Sequence, residues 1–285
     1  MLVIIIHGLD FQAGWLGHDM THARNSDYCD TALAAVSGFI NGFNRDWWSA
    51  KHNTHHVLTN HIGEDPDIDL MPALYLMPPN SAADNHLRKY QHLYAWPLYS
   101  LLFISWRQQS LWRAVIDKDY SMLVTKLIPG YIWLLCMPWL VSIGAILLSG
   151  FLVGIVVTQT HESEEYVPAG AGPGSYVLEQ FQSTRDIDCP DPVSEYLFGG
   201  MQYQLTHHLF PTLPRYKNAK LQKVVMEWAK ENNLVYKHTG LRECYTDHYN
   251  MLKANAEAQQ NDQPESKWYW PEGGWSISIQ EQWAK

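Results

Sequence analysis

The sequence is poor in the residues that build several common kinds of site. Its four cysteines, Cys29, Cys136, Cys189 and Cys244, are scattered and form no CxxC pair. That spacing excludes a cysteine zinc site, and the thiols read as unpaired in or near a reducing compartment. Positive charge is also scarce, with 20 Lys and Arg against 29 Asp and Glu and a net charge of −9. Without a basic run there is no electrostatic footprint for nucleic acid. No Ser-His-Asp or Cys-His arrangement carries a recognisable local signature. The Glu-x-x-His pairs of soluble di-iron bundles are missing as well. The N-terminus lacks the basic start and small-residue cleavage site of a signal peptide. Finally, charge is absent from Leu127 to Val157, a run of 31 residues. One membrane helix needs only ~20.

Aromatic residues, by contrast, are plentiful, with 13 Trp and 16 Tyr. Such rings suit a membrane interface, where they sit at headgroup level. The chain reads as all-α: an integral membrane helical bundle with a histidine-rich cap and interfacial helices. Membrane spans are expected at about 1–17, 120–138 and 139–160. The last two are separated at "MPW", because one 41-residue helix would be ~60 Å long. Residues 31–44 and 94–106 are apolar but short and are expected to lie along the interface. Residues 167–174 ("VPAGAGPG") read as a loop. Residues 216–232 read as an amphipathic helix with a Val/Met/Trp stripe. The main domain is expected over 1–245, with a polar C-terminal tail over 246–285 that ends Trp-rich. Residues 1–17 look like the second half of a membrane hairpin, so the chain is expected to be N-terminally truncated.

The 14 histidines carry the chemistry. His18 and His22 in "HDMTH" stand at i and i+4. His52, His55 and His56 in "HNTHH" stand at i, i+3 and i+4. His161 follows the long apolar run. Gln204, His207 and His208 in "QLTHH" repeat the second spacing, with glutamine in place of the first histidine. Residues three and four apart share one helix face, so each group aims its side chains one way. His7, His61, His86, His92, His238 and His248 lack such spacing and read as ordinary polar residues.

The crossings allow the groups to meet. The 29 residues between His22 and His52 are too few for two spans. Two spans through 120–160 bring the chain back between His56 and His161, and no apolar span separates His161 from His207. All eight histidines can therefore face one compartment. Imidazole suits iron, copper, nickel and zinc. Eight rings are too many for one ion and fit two ions with about four nitrogens each. Such a site beside a membrane points to oxygen activation against a lipid.

The stretches "QAGWLGHDMTH", "WWSAKHNTHH…GEDPDID" and "FGGMQYQLTHHLFPTLPRY" resemble the membrane fatty acid desaturases. The glutamine of the last box marks the front-end subgroup, which acts on acyl lipids or sphingolipid long-chain bases. The resemblance covers roughly residues 8–245. It implies a di-iron centre at the cytosolic face of the endoplasmic reticulum membrane. There, two iron ions with O2 and electrons from cytochrome b5 and its reductase would introduce a cis double bond into a lipid acyl chain. It also implies that His18, His22, His52, His55, His56, His161, His207 and His208 are iron ligands, with Gln204 at the iron. Asp19 would accept a hydrogen bond from a ligand imidazole, and Asp65, Asp67 and Asp69 could do the same. Family members usually carry an N-terminal cytochrome b5 domain and an earlier membrane hairpin, and neither stands in this chain. Two positions depart from the family pattern: Thr206 replaces a glutamate, and Glu162 replaces an asparagine. The alternatives are lipid hydroxylation at the same centre, or an inactive metal-binding remnant.

Overall fold

In the computed structural model the described residues are 14–22, 36–78, 84–171 and 174–259. Expectations for residues 1–13, 31–35 and 268–275, and for Cys29, lie outside them. The described chain is predominantly helical. Residues 14–22 form α1, and Val36–Asn41 is a single π-helical turn. The long helices are α2 (Arg45–Val57), α3 (Gln91–Tyr99), α4 (Leu102–Ile116), α5 (Tyr120–Cys136) and α6 (Trp139–Val157). They are followed by α7 (Tyr176–Ser183), α8 (Pro192–Phe198), α9 (Gln204–Leu209), α10 (Asn218–Glu231) and α11 (Leu241–Glu257). One departure from an all-α chain is a parallel pair, β1 (Asp186–Asp188) with β2 (His238–Gly240). The chain divides into two compact units that interleave along the sequence.

The first unit comprises residues 1–49, 96–156 and 211–215. The break between α5 and α6 has a local cause. Pro138 forces its predecessor out of the helical region, and Met137 is extended, with ψ of 158°. Helix α6 then packs closely on the turn between α3 and α4. A Cβ on Gly150 would fall 2.7 Å from the Ser100 carbonyl oxygen, and one on Gly154 2.7 Å from the Tyr99 Cβ. The expected 94–106 segment is thus two helices with a turn at Ser100–Leu101, and the second continues to Ile116. An aromatic cluster fills the space beneath: Phe43 packs against Trp48, Phe103 and Trp106 at centroid distances of 5.4–5.6 Å. On the opposite sides, α5 and α6 expose Leu135, Trp139 and Leu140 at 83%, 68% and 66%. Only α6, among the described residues, is long and apolar enough to cross a membrane.

The second unit comprises residues 50–95, 157–210 and 216–285. Its core under α9 and α10 joins Phe181, Leu205, Val225 and Ala229. The stripe expected on α10 is on the wrong face. The buried set is Val225 and Ala229 with Leu221 beside them, whereas Val224, Met226 and Trp228 are exposed. Helix α11 is amphipathic. It buries Cys244, His248, Leu252 and Ala256. Gln91 pins it by donating to the Leu252 carbonyl (2.8 Å).

Asp186 on β1 governs where α9 begins. Its fully buried carboxylate accepts from the Leu205 amide (2.9 Å), from Gln222 Nε2 (2.7 Å) and from the Tyr236 hydroxyl. Burial pushes its pKa above the ordinary carboxylate value, while these donors pull it back. Asp186→Ala would strand the buried Leu205 amide, at a cost of about 1–3 kcal/mol, and remove the acceptor of the half-buried Gln222 and Tyr236 donors. A large drop in the thermal midpoint of the purified chain is the expected result, with Asp186→Asn milder because its amide oxygen still accepts.

Candidate metal centre

Helix α2 carries the second histidine group because Asn44 starts it at the right residue. Asn44 Oδ1 accepts the Trp47 amide (3.0 Å), an N-cap that satisfies one of the orphan donors. From there, His52 and His56 are one full turn apart, with Nε2 atoms 3.2 Å from each other. His207 on α9 joins them. Ligand nitrogens of His52, His56 and His207 all lie within 4.8 Å of one another.

A second nitrogen cluster adjoins the first. His55, His161 and His208 also offer ligand atoms within 4.8 Å of one another. Each of these three rings is fixed through Nδ1. His55 Nδ1–H donates to Asp65 Oδ2 (2.9 Å). His161 Nδ1–H donates to the Ser183 carbonyl (3.1 Å). His208 Nδ1–H donates to Gln180 Oε1 (2.9 Å). A carboxylate and a carbonyl can only accept, so Nδ1 carries the hydrogen and Nε2 keeps its lone pair. The Gln204 amide nitrogen lies 3.0 Å from His161 Nε2 and 3.3 Å from His208 Nε2. The two clusters touch: the His56 and His208 rings stack with centroids 4.0 Å apart.

Electrostatics favour the ligating form. His161 is buried, and desolvation, with His55 as a smaller cause, lowers its pKa to about 3. The ring is neutral at physiological pH, as a metal ligand must be. The residues therefore fit nitrogen-ligated metal ions, with ring nitrogens converging and the opposite nitrogens tied to acceptors, the usual support for ligating histidines.

The acidic residues after α2 divide their tasks. Asp65 is fully buried and accepts from the Asn60 and Asp67 amides (both 2.8 Å) as well as from His55. It is a ring anchor and a turn cap at once. Asp67 forms an ion pair with Lys51 and stands 3.6 Å from His52 Nδ1. Burial lowers the Lys51 pKa to about 8, against the pull of Asp65 and Asp69.

The first group lies in the other compact unit. On α1 the His18 and His22 rings sit edge to face, with centroids 5.1 Å apart. Asp19 is 3.4 Å from its neighbour's His18 Nδ1 and pairs with Arg215 Nε at 3.1 Å. Its carboxylate is engaged by an arginine as well as by the imidazole.

Sequence reasoning missed several supporting residues. Gln180 and Ser183 on α7 hold two of the rings, and neither stands in a histidine box. His61 and His248, read as ordinary polar residues, are both buried beside a carboxylate. His61 is buried with Nε2 3.2 Å from Glu179, and His248 is fully buried with Nδ1 3.5 Å from Glu162. Burial, then Arg185, lowers the His248 pKa to about 3. Burial, then Asp65, raises that of Glu162 well above its usual value. Arg185 braces this region, donating to the Gln159 carbonyl (3.0 Å) and to Asp247 (2.7 Å).

Buried histidines that converge in two adjoining nitrogen clusters on helices have the donor set of an imidazole metal centre. The chain belongs to the fatty acid desaturase family, whose sequence model matches residues 1–240. It is 33% identical over 276 residues to a Delta(6)-fatty-acid desaturase of Caenorhabditis elegans, covering 86% of this chain and 62% of that relative. A Delta(5) fatty acid desaturase of the same organism is 31% identical over 257 residues, covering 79% of this chain and 56% of the relative. An acyl-lipid 8-desaturase of Rebecca salina is 30% identical over 260 residues, covering 84% and 59%. The chain spans about three fifths of the length of these curated relatives.

Proposed function

We propose that this chain is the catalytic part of a front-end lipid desaturase. It would insert a cis double bond into the acyl chain of a polyunsaturated lipid or a sphingolipid long-chain base, on the carboxyl side of an existing one. The observation that carries the reading is the pair of adjoining imidazole clusters, His52/His56/His207 and His55/His161/His208, with Gln204 at the second. The similarity to desaturases named for the Delta(5), Delta(6) and 8 positions supports the substrate class.

The ligand set is proposed as His52, His56 and His207 for one ion and His55, His161 and His208 for the other, with His18 and His22 completing the set. Iron bound by these residues supplies the one-electron and O2 chemistry that an unactivated CH2 group requires. The chain's own contribution is to hold the rings neutral and oriented. Asp65, Ser183 and Gln180 fix three of them, and burial keeps water away. The Gln204 amide lies near both His161 and His208 and would contact an ion held there directly or through water. Electrons would come from cytochrome b5 and its reductase.

The membrane setting is the endoplasmic reticulum, multi-pass, with the site facing the cytosol. The exposed apolar faces of α5 and α6 support a lipid-facing role. Contiguous exposed apolar surface of this kind marks membrane or partner contact. The test is expression of the full chain in a host supplying cytochrome b5 and its reductase, fed a panel of polyunsaturated acids. Lipid profiling is expected to find a new double bond toward the carboxyl end. A hydroxylated lipid with no new double bond would assign the site to hydroxylation instead.

A further inference from the structure

Helix α7, "YVLEQFQS", contains no histidine, yet one of its side chains joins two of the histidine-bearing helices. Gln180 is buried, with 1% of its surface exposed. Its Oε1 accepts from His208 Nδ1 on α9 (2.9 Å), and its Nε2 donates to the His56 carbonyl on α2 (3.1 Å). The amide cannot be reversed. The His56 carbonyl only accepts, so nitrogen must face it and oxygen must face the ring. Thr59 is a second and longer acceptor: its hydroxyl stands 2.7 Å from the His55 carbonyl and 3.3 Å from Gln180 Oε1, and its oxygen is 3.2 Å from His208 Nδ1, against 2.9 Å for Gln180. The same helix holds the backbone on either side: the Tyr176 hydroxyl donates to the His208 carbonyl, and the Ser183 carbonyl accepts from His161.

We propose that Gln180 is a positioning residue of the metal centre: it locks His208 as the Nδ1–H tautomer and so directs the Nε2 lone pair into the His55/His161/His208 cluster. The proposal rests on the reading of that cluster as a metal site. A neutral imidazole has two tautomers, and the one present is set by the partner of the other nitrogen. An acceptor at Nδ1 also stops the ring from rotating and raises its basicity as a ligand. Without Gln180 only the longer Thr59 contact would face Nδ1, and a hydroxyl can donate as well as accept, so His208 would divide between tautomers, and in one of them Nε2 carries a hydrogen and cannot ligate. The cluster of His52, His56 and His207 does not receive its orientation from the Gln180 oxygen, so the effect is confined to one of two ions.

The experiment is titration of Co2+ alone into the metal-stripped full chain in detergent, followed by visible ligand-field absorption. Three forms are compared: wild type, Gln180→Leu and Gln180→Glu. The glutamate variant keeps the acceptor for His208 but loses the donor to His56, so it separates ring orientation from the helix cross-tie. Wild type is expected to take two equivalents. Gln180→Leu is expected to bind the first as wild type does and the second about 10–100-fold more weakly. Gln180→Glu is expected to bind both. The retained first equivalent shows that the leucine variant is folded. Wild-type binding by Gln180→Leu overturns the proposal, and so does equal loss in the leucine and glutamate variants. If wild type itself takes no Co2+, the metal reading fails and the proposal falls with it, an outcome distinct from the other two.

Discussion

Replacing His55 with alanine is expected to reduce the lipid product to the host background while the chain stays in the membrane fraction at its wild-type level. His55 stands where the two clusters adjoin. Its ring centroid is 4.9 Å from that of His161 and 5.1 Å from that of His208, both edge to face. On its own helix it lies 5.7 Å from His52 and 5.8 Å from His56. Alanine would remove one of the three imidazoles of its cluster, and the remaining rings could not hold the ion in the same geometry. The fold should tolerate the change better than the chemistry does, because helix α2 keeps its Asn44 cap and its aromatic packing at Phe43 and Trp48. Lipid profiling paired with immunoblotting of membrane fractions measures both. Undiminished product from His55→Ala would refute the ligand assignment.

The second large effect is expected at Asp65, which never touches the ion in this account. Asp65→Ala removes the acceptor of two buried donors, the His55 ring and the Asn60 amide, and of the half-buried Asp67 amide. The two amides fold the turn after α2, and Asn60 there is in a left-handed conformation, with φ of 59°. Each buried donor left without a partner costs about 1–3 kcal/mol. Loss of the ring anchor should separately weaken metal binding about 10–100-fold. The variant is therefore expected to lose both thermal stability and bound metal. Asp65→Asn, which retains one accepting oxygen, should recover much of the stability. Thermal melts and elemental analysis on the same samples separate the two losses, and wild-type metal content in Asp65→Ala would remove Asp65 from the account.

Much of this centre was legible in the sequence because its histidines are arranged by helical spacing. "HNTHH" and "QLTHH" put their side chains on single faces, and α2 and α9 are helices across both stretches. The interruption of the apolar run was legible too, since Pro138 acts on its immediate neighbour. The supporting residues were not legible, because what selects them is contact across long stretches of chain. Gln180 meets residues 124 positions away at His56 and 28 away at His208. Nothing in "VLEQFQS" announces that. The same holds for β1 and β2, three residues each, paired over a separation of 52 from Asp186 to His238. "DID" carries no strand pattern, and its first residue is fixed by three donors from distant segments. The error on α10 has another cause. Its buried row is Leu221, Val225 and Ala229 at spacings of four, and a small alanine is less conspicuous than the exposed Met226 and Trp228. His248 was read as an ordinary polar residue because it has no histidine partner at helical spacing, and its narrow buried row includes Cys244, His248 and Leu252.

Elemental analysis of the full chain, purified from iron-supplemented cells in mild detergent, tests the central claim most directly. Two iron ions per chain are expected. His161→Ala and His207→Ala should each lower that value, since they belong to different clusters. Absence of bound iron from the wild-type chain, or iron content unchanged in both variants, would contradict that claim.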